Sequence, residues 1–206
     1  KMAATDALKI GAFGEVEAFI GICVAHEPKR QFWSDEQKLQ SVLWRRQLAE
    51  AHYSRGDIHA QGVAIRHALS VAGKPVPRNQ ATTLARLGAR AVTLAVRQIM
   101  PLEPAPRDAG ISLRWEGELA RCLNQAAMVD YFELRFSRGM CNLLGAVIHA
   151  ERTGLSADLA VASAQLACGL GMMGWRRAGN HFMGRAERVA VTIADPAVHS
   201  HVCNLD

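Results

Sequence analysis

The stretch SADLAVASAQLACGLGMMGWRRAGNHFMGRAERVAVTIA, Ser156 to Ala194, decides the fold. Its first half places Leu159, Ala160, Ser163, Leu166, Ala167 and Leu170 at helical spacing. Its second half does the same with Phe182, Ala186, Val189 and Ile193. Gly174 separates the halves. Small residues (Ala167, Cys168, Gly171, Gly179, Ala186) fall where two antiparallel helices would approach closely. The stretch therefore reads as an αα-hairpin. A single hairpin cannot bury its own apolar face, so neighbours must cover it. The expected fold is all-α, a superhelix of antiparallel helix hairpins.

Composition agrees. Hydrophobic residues make up 50% of the 206-residue chain and aromatics only 6%, so Ala, Leu and Val carry the apolar share. That favours close-packed helices over sheets, which draw on β-branched and aromatic residues. The formal charge of +5 and a pI near 9.2 suit an acidic partner without naming one. Five scattered cysteines (Cys23, Cys122, Cys141, Cys168, Cys203) form no CxxC pair and suit a reducing cytoplasm. The longest uncharged run, Leu159 to Trp175, is shorter than the ~20 residues of a membrane span, so none is expected.

Outward from the hairpin, other helices are punctuated by glycine and proline. Thr5 to Ile10 and Glu15 to Ala25 read as helices around Gly11 and Gly14, and His26 to Trp33 as a connector. Ser34 to Gln37 has the form of a capping box and opens a helix to about Ser54. After the Gly56-Asp57 turn a helix runs from Ile58 to about Ala72, and Asn79 caps another through Met100. Leu84, Leu87, Ala91, Leu94 and Ala95 form one face of that last helix. Arg86, Arg90 and Arg97 gather on the other, which is expected to be wet. Ser112 to about Ser137 reads as a long helix, with Gly139 as the turn into a second one ending at Gly154.

The turn glycines align a register. Ala68 stands twelve residues after Gly56, Ala186 twelve after Gly174 and Cys23 twelve after Gly11, while Leu48-Ala49 and Leu166-Ala167 precede the first two turns at equal distance. With the segment Leu48 to Ile58, this resembles the tetratricopeptide repeat, whose unit is roughly 34 residues. Gln61 stands where that family has Ala. Over Gln37 to Ala194, the run Gly73 to Arg78, the long helix after it and the segment Ala150 to Ala160 resemble the C-terminal helical arm of large bacterial signalling ATPases. Many of those carry a class III adenylate or guanylate cyclase domain. The resemblance implies residues 1–100 as TPR-like hairpins plus a long helix, 101–111 as a Pro-rich linker and 112–194 as further hairpins. Residues 195–206 are read as a truncated tail, since both ends look cut from a longer chain.

By that resemblance the segment is non-catalytic and regulatory. It would bind a protein partner or the ATPase and cyclase domains of its own chain, in the cytoplasm, with no cofactor or metal. First helices of each pair would line a groove, which puts Arg46, Gln47, Glu50, Tyr53, Gln165 and Met172 toward a partner. No Walker A sequence occurs. The alternative is a nucleic-acid-binding or nucleotide-binding helical domain using the Arg-rich faces (Arg45-Arg46, Arg176-Arg177) or the Gly169–Gly174 turn. Gly169 to Gly174 spells G-x-G-x-x-G, but it follows an Ala-rich helix where a dinucleotide site needs a strand. His199, His201 and Cys203 lack a fourth ligand for zinc. Glu116, Glu118, Asp130 and Glu133 are read as solvated, and the Met172-Met173-Gly174-Trp175 cluster as core.

Overall fold

A computed structural model of the chain describes residues 7–8, 10–27, 33–77, 79–100 and 110–204. It is helical throughout, with no strand among the described residues. The helices are α1 (Phe13–Ala25), α2 (Asp35–Ser54), α3 (Ile58–Val71), α4 (Gln80–Ile99), α5 (Gly110–Phe132), α6 (Phe136–Arg152), α7 (Ala157–Met172), α8 (Arg176–Ile193) and α9 (Pro196–Cys203). They fall into two compact units, Lys1–Val76 and Pro77–Asp206. Pro101, Pro104 and Pro106 of the expected linker, Pro28 of the expected connector and the start of the first expected helix lie outside the described residues. Gly110 and Ile111, assigned to the linker, begin α5.

In the first unit α2 and α3 form a hairpin, and α1 packs on α2. The capping box closes as expected. Ser34 Oγ accepts from the Gln37 N–H, and the Gln37 side chain accepts from the Ser34 N–H. Val16, Ile20 and Ala51 join the helices in a buried cluster, bordered by Phe13, Trp44 and Leu48. Leu39, Ile65 and Leu69 are wholly buried too, each contributing about 1.5–3 kcal/mol of apolar burial. Arg45 is 5% exposed and forks onto Glu27, Nη1 to Oε1 and Nη2 to Oε2, both at 2.8 Å. Burial would raise the Glu27 carboxyl. Hydrogen bonds from Arg45 and Ser41 and the charges of Arg45 and His67 together outweigh it, holding the group below its ordinary value.

In the second unit α5 pairs with α6 and α7 with α8, and these hairpins stack through α6 on α7. Alanines let the backbones close up: Ala120, Ala146, Ala150, Ala160, Ala164 and Ala186 are fully buried. Two glycines of α7 and α8 make close approaches. A Cβ on Gly179 would sit 3.1 Å from the Ala167 carbonyl oxygen, and one on Gly169 would sit 2.9 Å from Leu143 Cδ1. α4 belongs to this unit and packs along α6, so the long helix assigned to residues 1–100 goes with the hairpins C-terminal to it.

The turn between α5 and α6 differs from the sequence reading. It lies at Glu133 to Arg135, with Leu134 in the left-handed region at φ 57°, whereas Gly139 is buried inside α6. Gly139 serves packing: a Cβ there would meet Asp130 Cβ at 3.5 Å and the Ala127 oxygen at 3.6 Å. With the turn at Leu134 the register extends to a third hairpin, because Ala146 stands twelve residues on and is buried like Ala68 and Ala186.

Candidate interaction surface

Three hairpin turns share one hydrogen-bond scheme. An N–H bonds the carbonyl five residues back: Asp57 to His52 (2.9 Å), Arg135 to Asp130 (2.7 Å) and Trp175 to Leu170 (2.9 Å). This is the long bond of a helix end whose penultimate residue is left-handed. Gly56 and Gly174 fill that position in two turns at φ 78° and 81°. In the third it is Leu134, 73% exposed.

Around Leu134 the turn end of the second unit is apolar. Tyr131, Phe132 and Phe136 are exposed, with Tyr131 edge-on to Phe132 at 5.5 Å and to Phe136 at 6.4 Å between ring centres. Tyr131 and Phe136 line a cavity of about 340 Å³ with Met140, Leu143, Met172 and Met173. Met172, Met173 and Trp175 are themselves exposed, so the Met-Met-Gly-Trp cluster is surface, not core. Methionine and aromatic side chains at such a surface are adaptable contact groups.

Met173 and Trp175 also border a second apolar hollow of about 490 Å³. One wall is α4, through Leu84, Ala91 and Ala95. The other is α8, through Ala178 and Phe182 with Trp175 just before it, and Met140 and Leu144 of α6 form the floor. The face of α4 expected to be core is thus largely open: Leu94 is buried, Leu84 is 49% exposed, and Ala91 and Ala95 are exposed.

Of the arginines of α4 expected to be wet, Arg86 is exposed, while Arg90 and Arg97 anchor the helix. Arg90 donates to the Cys141 carbonyl and lies 3.4 Å from Cys141 Sγ, while Arg97 donates to the Ile148 carbonyl at 2.8 Å and to Glu151 Oε2 at 2.9 Å. The inward stripe of α4 runs through Thr83, Arg90, Leu94 and Arg97 and so straddles the two groups, because carbonyls of α6 offer the arginines acceptors. Burial lowers the Arg90 pKa and raises that of the Cys141 thiol, and the Arg90 charge pulls the thiol back. Glu151 also takes Arg185 of α8 at 2.7 Å on its other oxygen, so one carboxylate ties α4, α6 and α8 together.

The residues expected to face a partner are divided. Arg46, Gln47, Glu50 and Tyr53 lie on α2, and Gln165 and Met172 on α7. Tyr53 is 43% exposed, and Arg46 pairs with Glu50 at 3.0 Å. Gln47 is 4% exposed, packed inside the first unit where a partner does not reach. Gln165 is half-buried, its Oε1 lacking a hydrogen bond, and Met172 is 61% exposed at the apolar turn end. The sequence reading missed Tyr131, Phe132, Leu134 and Phe136. Their clustering in YFELRF, between two helical runs, was the available signal.

The carboxylates of α5 are not solvated as expected. Glu116 accepts from Arg152 at 2.7 Å and meets His149 Nδ1 at 2.5 Å. Asp130, 2% exposed, pairs with Arg138 and with Asn142 Nδ2. Glu118 is 6% exposed and pairs with Arg121. The reason is that α5 packs on both α6 and α7, which leaves little wet face. Burial would raise Glu116, but the hydrogen bonds and charges of His149 and Arg152 hold it low. For Asp130 burial prevails over Arg138, and its pKa is raised. The pairs of Glu116 with Arg152 and of Asp130 with Arg138 hold α5 to α6.

Gly169 and Gly171 lie within α7, and Gly174 is its turn, so no strand leads into the G-x-G-x-x-G run. His199 and Cys203 face each other one turn apart on α9 at 3.7 Å, and no cluster of three metal-ligating side chains exists among the described residues. No described helix is long and apolar enough to cross a membrane. No family model, curated protein or solved structure matches this chain.

Proposed function

We propose that the chain is a non-catalytic protein-interaction and regulatory segment. Its TPR-like hairpins would stack into a right-handed superhelix within a multidomain, cytoplasmic signalling ATPase or nucleotidyl cyclase. One observation supports this reading above others: Tyr131, Phe132, Leu134, Phe136, Met172, Met173 and Trp175 stand exposed at one end of the second unit. Large exposed apolar groups gathered in one place mark interaction sites more often than they serve the fold. The partner is a protein or another domain of the same polypeptide. Arg46, Glu50 and Tyr53 on α2 are proposed as a second contact. A nucleic-acid role has less support, since Arg45, Arg90 and Arg97 are engaged inside the units.

Affinity capture with the full chain tests this, comparing the native protein with a Tyr131→Ser, Phe136→Ser variant whose helicity is checked by circular dichroism. A protein held by the native chain and lost by a still-helical variant is the expected result. Equal capture by both removes this surface from the reading.

A further inference from the structure

The walls of the 490 Å³ hollow are unequal in charge. On the α4 side every exposed neighbour of the groove is apolar or uncharged: Leu84, Gly88, Ala91, Val92, Ala95 and Gln98. On the α8 side, Ala178 and Phe182 line the groove. At 100° per residue, Arg177, His181, Arg185 and Arg188 then run beside them on the outward flank, within an arc of roughly 80°. Arg177, His181 and Arg188 are exposed, and neither Arg177 nor Arg188 has an ion pair among the described residues. Glu151 of α6 takes Arg185, and it pairs with neither Arg177 nor Arg188 among the described residues. α4 carries no Asp or Glu. α7 has only Asp158, which pairs with Arg121 of α5, and Glu187 of α8 stands roughly 80–100° around its helix from Arg177 and Arg188.

The hollow is also shaped like a helix seat. α4 and α6 run in the same direction, since Arg90 and Arg97 meet Cys141 and Ile148 in order. α8 follows them, from Ala178 and Phe182 beside Met140 and Leu144 to Arg185 on Glu151. Met173 and Trp175 line one end, and the bridge Arg97–Glu151–Arg185 ties the three helices together past Leu144 and Phe182 at the other. A trough floored by helix side chains and walled by two helices accepts the apolar face of a third.

We infer that this groove receives an amphipathic helix from a protein partner, with its apolar face against α4 and α6 and an acidic flank along Arg177, His181 and Arg188 of α8. This rests on the interaction reading above and gives it a partner class. Concavity favours a helix over a lipid surface, which would need these residues on a convex face.

The test is a selection on the full chain from a displayed library of amphipathic helices of about 16 residues, long enough for four turns. The library has fixed apolar positions and one randomised flank. Enrichment of Glu and Asp in the flank is expected. The winning peptide, labelled for fluorescence anisotropy, is expected to bind roughly tenfold more weakly to an Arg177→Glu, Arg188→Glu variant. It is expected to be lost by Ala91→Arg, a substitution at an exposed wall position. Neutral or basic flanks, no enriched helix, or winners indifferent to Ala91→Arg overturn the inference. Winners that instead depend on Tyr131 and Phe136 overturn it while keeping the broader interaction reading. Sedimentation with phosphatidylserine vesicles through the same arginines, or a dimer broken by Ala91→Arg in light scattering, replaces the helix with a membrane or a second copy.

Discussion

Leu134 holds two roles that pull in opposite directions. Its left-handed backbone is strained for any side chain with a Cβ, by roughly 1–2 kcal/mol. It is also 73% exposed, so burial returns little of that. The two sister turns avoid the strain with glycine. Leu134→Gly is therefore expected to stabilise the chain by about 0.5–1 kcal/mol, the strain relief less the extra freedom glycine gives the unfolded chain. Chemical denaturation measures it, and a loss of stability would show that the leucine is held by contacts in the fold. The same variant is expected to weaken partner capture, because the leucine side chain belongs to the apolar turn end. A gain in stability with a loss in binding separates a functional residue from a structural one. Gly179 makes the opposite case: Gly179→Ala brings a Cβ to 3.1 Å from a backbone oxygen that cannot swing away. A loss of about 1–3 kcal/mol is expected from the overpacking, read as a lower denaturation midpoint.

Among the elements, α4 is held differently from the hairpins. Only Thr83 and Leu94 of its residues are buried, and its attachment to α6 runs through Arg90 and Arg97. Gly145 of α6 makes room for this, since a Cβ there would overlap the Arg90 guanidinium at 2.6 Å. Glu151→Gln removes the charge shared by Arg97 and Arg185 and is expected to cost about 2 kcal/mol at this mostly buried site. Hydrogen exchange is expected to quicken over α4 while the α5–α6 pairing stays protected. Uniform loss of protection across Gly110 to Ile193 would mean that the bridge supports the hairpins as well. The sequence made α4 legible as a helix, down to its Asn79 cap, whose Oδ1 accepts from the Thr82 N–H at 2.8 Å. It placed Leu94 inside and Arg86 outside, as they stand, and misplaced Arg90 and Arg97. Periodicity reports that two faces differ, and the usual inference buries the apolar one. Here the acceptors lay on α6, beyond anything local to α4.

For the molecule as a whole, glycine turns and caps revealed helix hairpins because those signals act within a few residues. Twelve-residue spacing located the buried Ala68 and Ala186 of the second helices, while Cys23, twelve after Gly11, is only half-buried. What escaped needed long-range knowledge. The turn at Leu134 lacks the expected glycine, and the aromatic cluster beside it resembles core composition. The acidic residues of α5 could be known as buried only once α6 and α7 were placed against them. Those carboxylates set the chain's response to acid. Glu27 in the first unit and Glu116 in the second both have pKa values held below the ordinary 4.5 by arginine and histidine neighbours. The unfolded chain then binds protons more readily than the folded one, so each contribution is present above pH 4.5 and fades as pH falls through the lowered folded value. Asp130 acts in the reverse sense: its raised pKa lets the folded chain take up a proton first, which adds stability as acid is approached. Glu116→Gln is expected to lower the midpoint of thermal unfolding at pH 7 by an amount equivalent to about 1–3 kcal/mol. That difference from the native chain is expected to shrink at pH values well below 4.5, where the native carboxylate loses its charge. Glu27→Gln is expected to behave in the same way for the first unit. Melts of both variants against the native chain across that range decide it. A deficit that stays constant with pH would make these side chains packing groups, with no share in the acid response.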